Sequence, residues 1–134
     1  MKNRLLFAIQ AVLLLAIAAS HAYALSSDLY WFFPVLNRAI HFAGGVWVAL
    51  VSVWLFDFQG RPIRILPILT SVILVSIAWE IFEVAIGMTN ESNYALDTIL
   101  DLCMDVLGGL IGFFAARFMV QSFTHGETVQ DNSS

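Results

Sequence analysis

Ionisable residues recur inside segments that are otherwise apolar, where such side chains are most costly to place. They are Arg38, His41, Glu80, Glu83, Asp101 and Asp105. Carboxylate oxygens are ligands for Mg²⁺, Ca²⁺ or Mn²⁺, and a histidine nitrogen extends the choice to Zn²⁺. The same groups can instead take up and release protons when they are withdrawn from water. The residue types therefore predict a divalent metal site or a proton-handling site.

The spacing of these residues places them on shared helix faces. Positions three or four apart lie on one face of a helix. The pairs with this spacing are Arg38 with His41, Glu80 with Glu83, and Asp101 with Asp105. The last face continues into Gly108 and Gly112, and glycines four positions apart let membrane helices approach closely. We therefore expect the ionisable faces to point toward neighbouring helices, inside a bundle.

The composition identifies the solvent in which this bundle folds. Hydrophobic residues make up 60% of the 134-residue chain and charged residues only 12%. A soluble domain carries about a quarter charged residues, so a soluble enzyme domain and a disordered chain are both excluded. The net charge of −4 argues against a nucleic-acid partner, which would favour a basic protein. What remains is an integral membrane protein of one domain.

Long apolar runs supply the elements that position the site. A helix needs about 20 apolar residues to cross a bilayer, and four such runs cover residues 5–25, 34–56, 65–88 and 98–121. The predicted fold is an all-α bundle of four transmembrane helices. The first run, with Lys2 and Arg4 before it and Ala22-Tyr23-Ala24 at its end, also resembles a cleavable signal peptide. A retained helix is favoured because the run is long, and residues 124–134 are predicted to form a disordered cytoplasmic tail.

Basic residues predict the orientation, since they are enriched at the cytoplasmic ends of membrane helices. Five of them fall on one side: Lys2, Arg4, Arg61, Arg64 and Arg117. Both termini are therefore assigned to the cytoplasm of a cell membrane, which we expect to be a bacterial inner membrane. With a rise of about 1.5 Å per residue, His41 and the acids then lie roughly 5 to 15 Å below the outer boundary.

The hypothesis with the most specific roles is a metal-dependent site for an anionic lipid or lipid-linked head group. Its predicted metal ligands are His41, Glu80, Glu83, Asp101 and Asp105. His41 and Asp105 are also the candidate catalytic residues, and Arg38 would pair with a phosphate. Two alternatives remain: a proton- or cation-coupled carrier component, and a structural or regulatory subunit without catalysis. We expect membrane lipid as a partner, and either a second copy of the chain or another membrane protein.

A resemblance to known proteins rests on the acidic and glycine positions. Trp79-Glu80-Ile81-Phe82-Glu83 is followed by Asp97-Thr98-x-x-Asp101 and then by Asp105, Gly108, Gly109 and Gly112. This order resembles the YjdF-type small membrane proteins and, more distantly, the VanZ-like proteins. In the YjdF type a histidine lies on an earlier helix, a role that His41 would match. VanZ-like proteins usually carry Asn where Asp105 stands, so the resemblance to them does not extend to this position. The resemblance to the YjdF type implies a membrane fold and no assigned reaction.

Overall fold

The computed structural model describes residues 2–87 and 93–131, and all of the regular structure in these ranges is helical. The helices are α1 (Lys2–Ser26), α2 (Leu29–Phe32), α3 (Pro34–Phe58), α4 (Ile65–Ala85) and α5 (Tyr94–Asp131). Helices α1, α3, α4 and α5 are each long and apolar enough to cross a membrane. The predicted all-α fold with four spanning helices is therefore confirmed.

The helix ends differ from the predicted bounds for local reasons. Helix α4 ends before the predicted residue 88 because Gly87 adopts a left-handed conformation, with φ of 76°. Gly60, with φ of 65°, likewise adopts a left-handed conformation just after the end of α3. There Gly60 N donates to Asp57 O and Arg61 N donates to Phe56 O, so the last carbonyls of α3 are satisfied by a glycine cap.

The remaining connections also carry helix. Residues 29–32, expected to be part of a loop, form the short helix α2. Helix α5 begins before the predicted residue 98, since Leu96 N and Asp97 N both donate to Asn93 O and close its first turn. It continues to Asp131, so its backbone includes residues 124–131 of the segment predicted as a tail.

Helices α3 and α5 lie side by side and run in the same direction. Backbone approaches backbone closely here, because a Cβ atom added to Gly108 would overlap the carbonyl oxygen of Phe42. One added to Gly112 would lie 2.7 Å from the carbonyl oxygen of Val46. This is the close packing that the two glycines predict. Helices α1 and α4 then pack against this pair, running antiparallel to it.

A cluster of buried apolar side chains fills the half of the bundle nearer the end of α3. Its members are Leu6, Val48, Ala49, Leu50, Val53, Ile68, Val72, Phe113, Ala116 and Val120. The other half, formed by the first turns of α3 and α5 and the last turns of α1 and α4, holds the buried ionisable residues. We call it the polar half, because the apolar packing ends where these residues begin.

Candidate metal centre in the polar half

The buried ionisable groups come from three different helices. His41 lies on α3, Glu80 on α4, and Asp101 and Asp105 on α5. Their exposed fractions are 4%, 6%, 1% and 5%, respectively. The prediction that three helices direct these residues into the bundle interior agrees with their burial. No Lys or Arg within the described ranges forms an ion pair with any of the three acids, so their charge needs another partner.

Asp105 fixes the orientation of the His41 ring. His41 Nδ1 lies 2.9 Å from Asp105 Oδ2, and both side chains are buried. An ionised carboxylate only accepts hydrogen bonds, so with Asp105 in that form Nδ1 carries the proton and donates it. In the neutral ring the Nε2 lone pair is then free. A histidine held by a carboxylate in this way is the usual arrangement behind a metal-bound imidazole.

The free nitrogen of His41 faces two further carboxylates. Nε2 lies 3.9 Å from Glu80 Oε1 and 3.8 Å from Asp101 Oδ2. One potential ligand atom from each of His41, Glu80 and Asp101 lies within 4.8 Å of the others. His41 Nε2, Glu80 Oε1 and Asp101 Oδ1 are all buried without a hydrogen-bond partner. Because buried polar atoms are normally paired, and potential ligand atoms of the three side chains lie this close together, these side chains could hold a metal ion.

Neutral side chains donate hydrogen bonds to the carboxylates of Asp101 and Glu80. Asn37 Nδ2 donates to Asp101 Oδ2 at 2.8 Å, and Thr98 Oγ1 donates to Glu80 Oε2 at 2.8 Å. Sequence reasoning missed Asn37 and Thr98 because it considered only ionisable groups. The signal was available, since Asn37 lies one helical turn before His41 and shares its face. Each carboxylate thus keeps one oxygen without a protein partner.

Glu83 has a different environment from Glu80. Its Oε1 accepts a hydrogen bond of 2.9 Å from Trp79 Nε1, one turn earlier on α4. Glu83 is buried, yet it does not belong to the group of three ligand atoms described above. The structure therefore brings Glu80 and Asp101 to His41 and leaves Glu83 beside an indole. A ligand role for Glu83 stays a prediction.

Arg38 lies at the edge of the polar half. Its Nη2 atom is 3.7 Å from Asp97 Oδ1, and the two side chains are 35% and 48% exposed. Arg38 Nε is buried and has no hydrogen-bond partner. Arg38 is thus loosely paired with Asp97, keeps a donor to spare, and does not neutralise the buried acids.

An aromatic group joins α1 to α4 beside the site. The His21 ring packs edge-on to that of Trp79, with 5.4 Å between centroids, and His21 Nδ1 lies 2.6 Å from the hydroxyl oxygen of Tyr30. Burial, and secondly the charge of Glu83, raise the pKa of Tyr30 to about 12. The Tyr30 hydroxyl is therefore protonated at neutral pH, and its hydrogen bond with His21 Nδ1 tethers α2 to α1.

Comparisons with known proteins agree with the membrane fold. No curated protein and no solved structure matches the chain. A family model described as "Predicted membrane protein (DUF2238)" matches residues 1–122, which include all four spanning helices and every residue of the candidate centre. The match covers most of the chain. The protein therefore belongs to the DUF2238 family of predicted membrane proteins, as a multi-pass member with a buried His/Glu/Asp cluster.

Proposed function

We propose that His41, Glu80 and Asp101 bind a divalent cation within the membrane. The observation that carries this proposal is that the three buried side chains bring potential ligand atoms within 4.8 Å of one another, and that each also has a buried polar atom without a hydrogen-bond partner. Imidazole and carboxylate are both common ligands of transition metals. Three protein ligands also leave at least one coordination position open for water or a substrate, as in catalytic zinc sites.

Charge supports the same conclusion. When Glu80, Asp101 and Asp105 are ionised beside a neutral His41, three negative charges lie in a low-dielectric region, where an unpaired charge costs several kcal/mol. A divalent cation held by Glu80 and Asp101 balances two of them. No arginine within the described residues does so, since Arg38 pairs with Asp97 outside the cluster. The Asn37 and Thr98 hydrogen bonds each occupy one oxygen of a carboxylate and leave the other oxygen without a protein hydrogen-bond partner.

The donor set narrows the choice of ion. Mg²⁺ and Ca²⁺ prefer ligand shells made entirely of oxygen, whereas imidazole nitrogen favours Zn²⁺ and also suits Mn²⁺. We therefore place Zn²⁺ and Mn²⁺ ahead of Mg²⁺ and Ca²⁺ for this site. Asp105 contributes indirectly, because its hydrogen bond to Nδ1 directs Nε2 toward the ion. His41 acting as a ligand is not free to act as a general base, so these two predicted roles are alternatives.

An anionic lipid or lipid-linked head group is the proposed ligand of the bound ion. The open coordination position of the metal would take an anionic oxygen, and the unpaired Nε of Arg38 would donate to the same group. We also propose that the protein is related to the YjdF type and that it lies in a bacterial inner membrane. A reaction is not part of this proposal.

Metal content tests the proposal directly. The full chain is purified in detergent, incubated with Zn²⁺ or Mn²⁺, dialysed and analysed by mass spectrometry for metals. We expect about one ion per chain, as for a single mononuclear site. Glu80→Gln and Asp101→Asn should each lose it. Glu83→Gln is the matched control, since it removes a buried carboxylate from the same helix without touching the three ligand atoms.

Two outcomes would overturn the metal site: no bound ion in any preparation, or equal retention of the ion by Asp101→Asn and the wild type.

A proton- or cation-coupled carrier component is the second candidate. It is favoured by the position of His41, which lies between Asp105 on one side and Glu80 and Asp101 on the other. Proton flux into liposomes that is lost in His41→Gln, with no bound metal, would support the carrier instead.

A further inference from the structure

A second feature of the polar half is a cavity of about 150 Å³ beside His41. Its walls come from α1, α3 and α4, with Asp105 from α5, and are almost entirely apolar; the polar residues are His41, Ser76 and Asp105. The apolar wall residues include Leu14, Ile17, Ile40, Val48, Val75 and Trp79. Apolar cavities of this size stay free of water and accept apolar molecules. The cavity is therefore suited to a hydrocarbon group.

The cavity opens sideways, between α1 and α4. These two helices both pack on α3, but within the described residues no Cα atom of α1 lies within 8 Å of one in α4. Leu14 on α1 and Val75 on α4 border the gap and are 43% and 47% exposed. Both lie well inside spanning helices, so the gap faces the hydrocarbon region of the bilayer.

The gap is bridged at one end by the aromatic group described above. The His21 and Trp79 rings meet across it, and Tyr30 holds His21 in place. A ligand in the cavity thus lies below this bridge, and the route into it is lateral. The innermost part of the cavity reaches Gly44, where a Cβ atom would lie 3.8 Å from Asp105 Oδ1. An occupant would therefore lie against the pair of side chains formed by His41 and Asp105.

We propose that this cavity binds the hydrocarbon chain of a membrane lipid, which enters between α1 and α4. Lipid chains surround the opening at this depth, the walls match their chemistry, and His41 belongs to both the cavity wall and the candidate metal centre. The inference rests on the proposed function in one respect: the bound ion and Arg38 would hold the head group of the same lipid. The proposal about the hydrocarbon chain is separate from the metal proposal, because the apolar wall residues are not among the three proposed ligands.

Photolabelling in a bilayer tests this inference. The full protein is reconstituted into vesicles of phosphatidylethanolamine and phosphatidylglycerol that contain a phosphatidylglycerol with a diazirine in its acyl chain. After illumination, labelled peptides are located by mass spectrometry. We expect labels at Ile17 and Trp79. Val75→Trp should reduce labelling at Trp79 at least about fivefold, since the larger side chain occupies the space in a close-packed interior.

Leu74→Trp is the matched control, because Leu74 is the neighbouring residue on α4, is exposed and does not line the cavity. Ile17→Trp fills the cavity from the opposite wall and serves if Val75→Trp fails to fold; Leu15→Trp is its control. Equal labelling in Val75→Trp and Leu74→Trp, or labels spread evenly over exposed residues of α1 and α4, would overturn the inference. So would cross-linking of these positions to a second copy of the chain.

Metal analysis of the same samples separates the two proposals. Val75→Trp with normal metal content and lost labelling supports the cavity and leaves the metal site intact. Wild-type protein that is labelled at Trp79 but holds no metal keeps the lipid cavity and removes the proposed metal function. Wild-type protein that holds metal but shows no specific label has the opposite meaning and rejects the cavity alone.

Discussion

The α3–α5 interface brings the same pair of helices together in two different ways along its length. In its glycine half, Gly108 and Gly112 let the backbone of α5 approach the carbonyls of Phe42 and Val46. In its polar half, Asn37 contacts Asp101 and His41 contacts Asp105, with the same sequence separation of 64 residues in both pairs. The glycine half consists of backbone surfaces in contact. The polar half adds hydrogen bonds between side chains to a close backbone approach of Gly45 to Asp105.

The difference shows what each half contributes to the site. Lipid chains are as apolar as the helices, so hydrophobic burial does little to hold α3 against α5, and close van der Waals packing must do so. The glycine half therefore sets the distance and the register of the two helices. The polar half uses that register, which places His41 Nδ1 2.9 Å from Asp105 Oδ2. Changes in the glycine half should thus affect stability and metal binding together, whereas changes in the polar half should separate them.

Gly108→Ala should have the largest effect. Its Cβ atom would overlap the carbonyl oxygen of Phe42, and backbone cannot move aside as a side chain can, so the helices must separate. We expect a loss of about 3 kcal/mol in the free energy of unfolding, the upper range for overpacking. Metal content should fall with it. Unfolding followed by circular dichroism in detergent measures the effect.

Gly44→Ala is the control for this change on the same interface. Its Cβ atom would lie 3.8 Å from Asp105 Oδ1, an ordinary contact, so the stability should change by less than about 1 kcal/mol. Equal destabilisation by Gly108→Ala and Gly44→Ala would show that the close approach of α3 and α5 does not hold the bundle together.

Removal of the metal should have the next largest effect. An ion that binds only the folded protein stabilises it by about 2.7 kcal/mol at a hundred times its dissociation constant. Chelation should therefore lower the melting temperature of the wild type, as followed by circular dichroism. Asp101→Asn should be insensitive to the chelator. In the chelator it should be no less stable than the wild type, since one buried negative charge has been removed.

A melting temperature of the wild type that does not respond to chelator or to added Zn²⁺ would contradict this expectation. Glu83→Gln is the control, because its carboxylate accepts from Trp79 and lies outside the three ligand atoms. It should keep the full response to the ion. Loss of the response in Glu83→Gln would indicate that Glu83 is a metal ligand, as the sequence predicts.

Asp105→Asn should have an intermediate effect and act on affinity alone. The amide oxygen can still accept the His41 Nδ1 proton, so the ring orientation is kept while the negative charge behind it is lost. Substitutions of such supporting carboxylates weaken metal binding about 10- to 100-fold. Competition with a fluorescent chelator measures the affinity. An unchanged affinity would mean that Asp105 does not act through His41.

Much of this arrangement could be anticipated from residue spacing, and the part that could not has a definite physical cause. Hydropathy and length identified the four spanning helices, and spacing of three and four residues placed His41, Asp101 and Asp105 toward the interior. Spacing alone could not separate Glu80 from Glu83. They differ by about 60° around α4, and only the contact of α4 with α3 and α5 decides that Glu80 faces His41.

Neutral polar residues were the other gap in the prediction. Asn37 and Thr98 carry no charge to draw attention in an apolar run, although each hydrogen-bonds to a carboxylate of the candidate centre. The cavity between α1 and α4 also escaped prediction. It arises because the backbones of α1 and α4 stay apart in the described part of the chain, with no Cα atoms within 8 Å, although the His21 and Trp79 rings meet. Spacing within one helix carries no information about a gap between two helices.

The smallest effect should come from the ion pair at the edge of the polar half. Arg38 and Asp97 are 3.7 Å apart and 35% and 48% exposed, so solvent screens their attraction. Asp97→Asn should therefore change stability by less than about 1 kcal/mol and leave metal content unaltered. Arg38→Gln should do the same in detergent, while reducing labelling by an anionic lipid more than by a zwitterionic one. Loss of metal in Asp97→Asn would show that the metal centre includes the first turn of α5. The buried ligands could then no longer be treated separately from the solvent-exposed pair of Arg38 and Asp97.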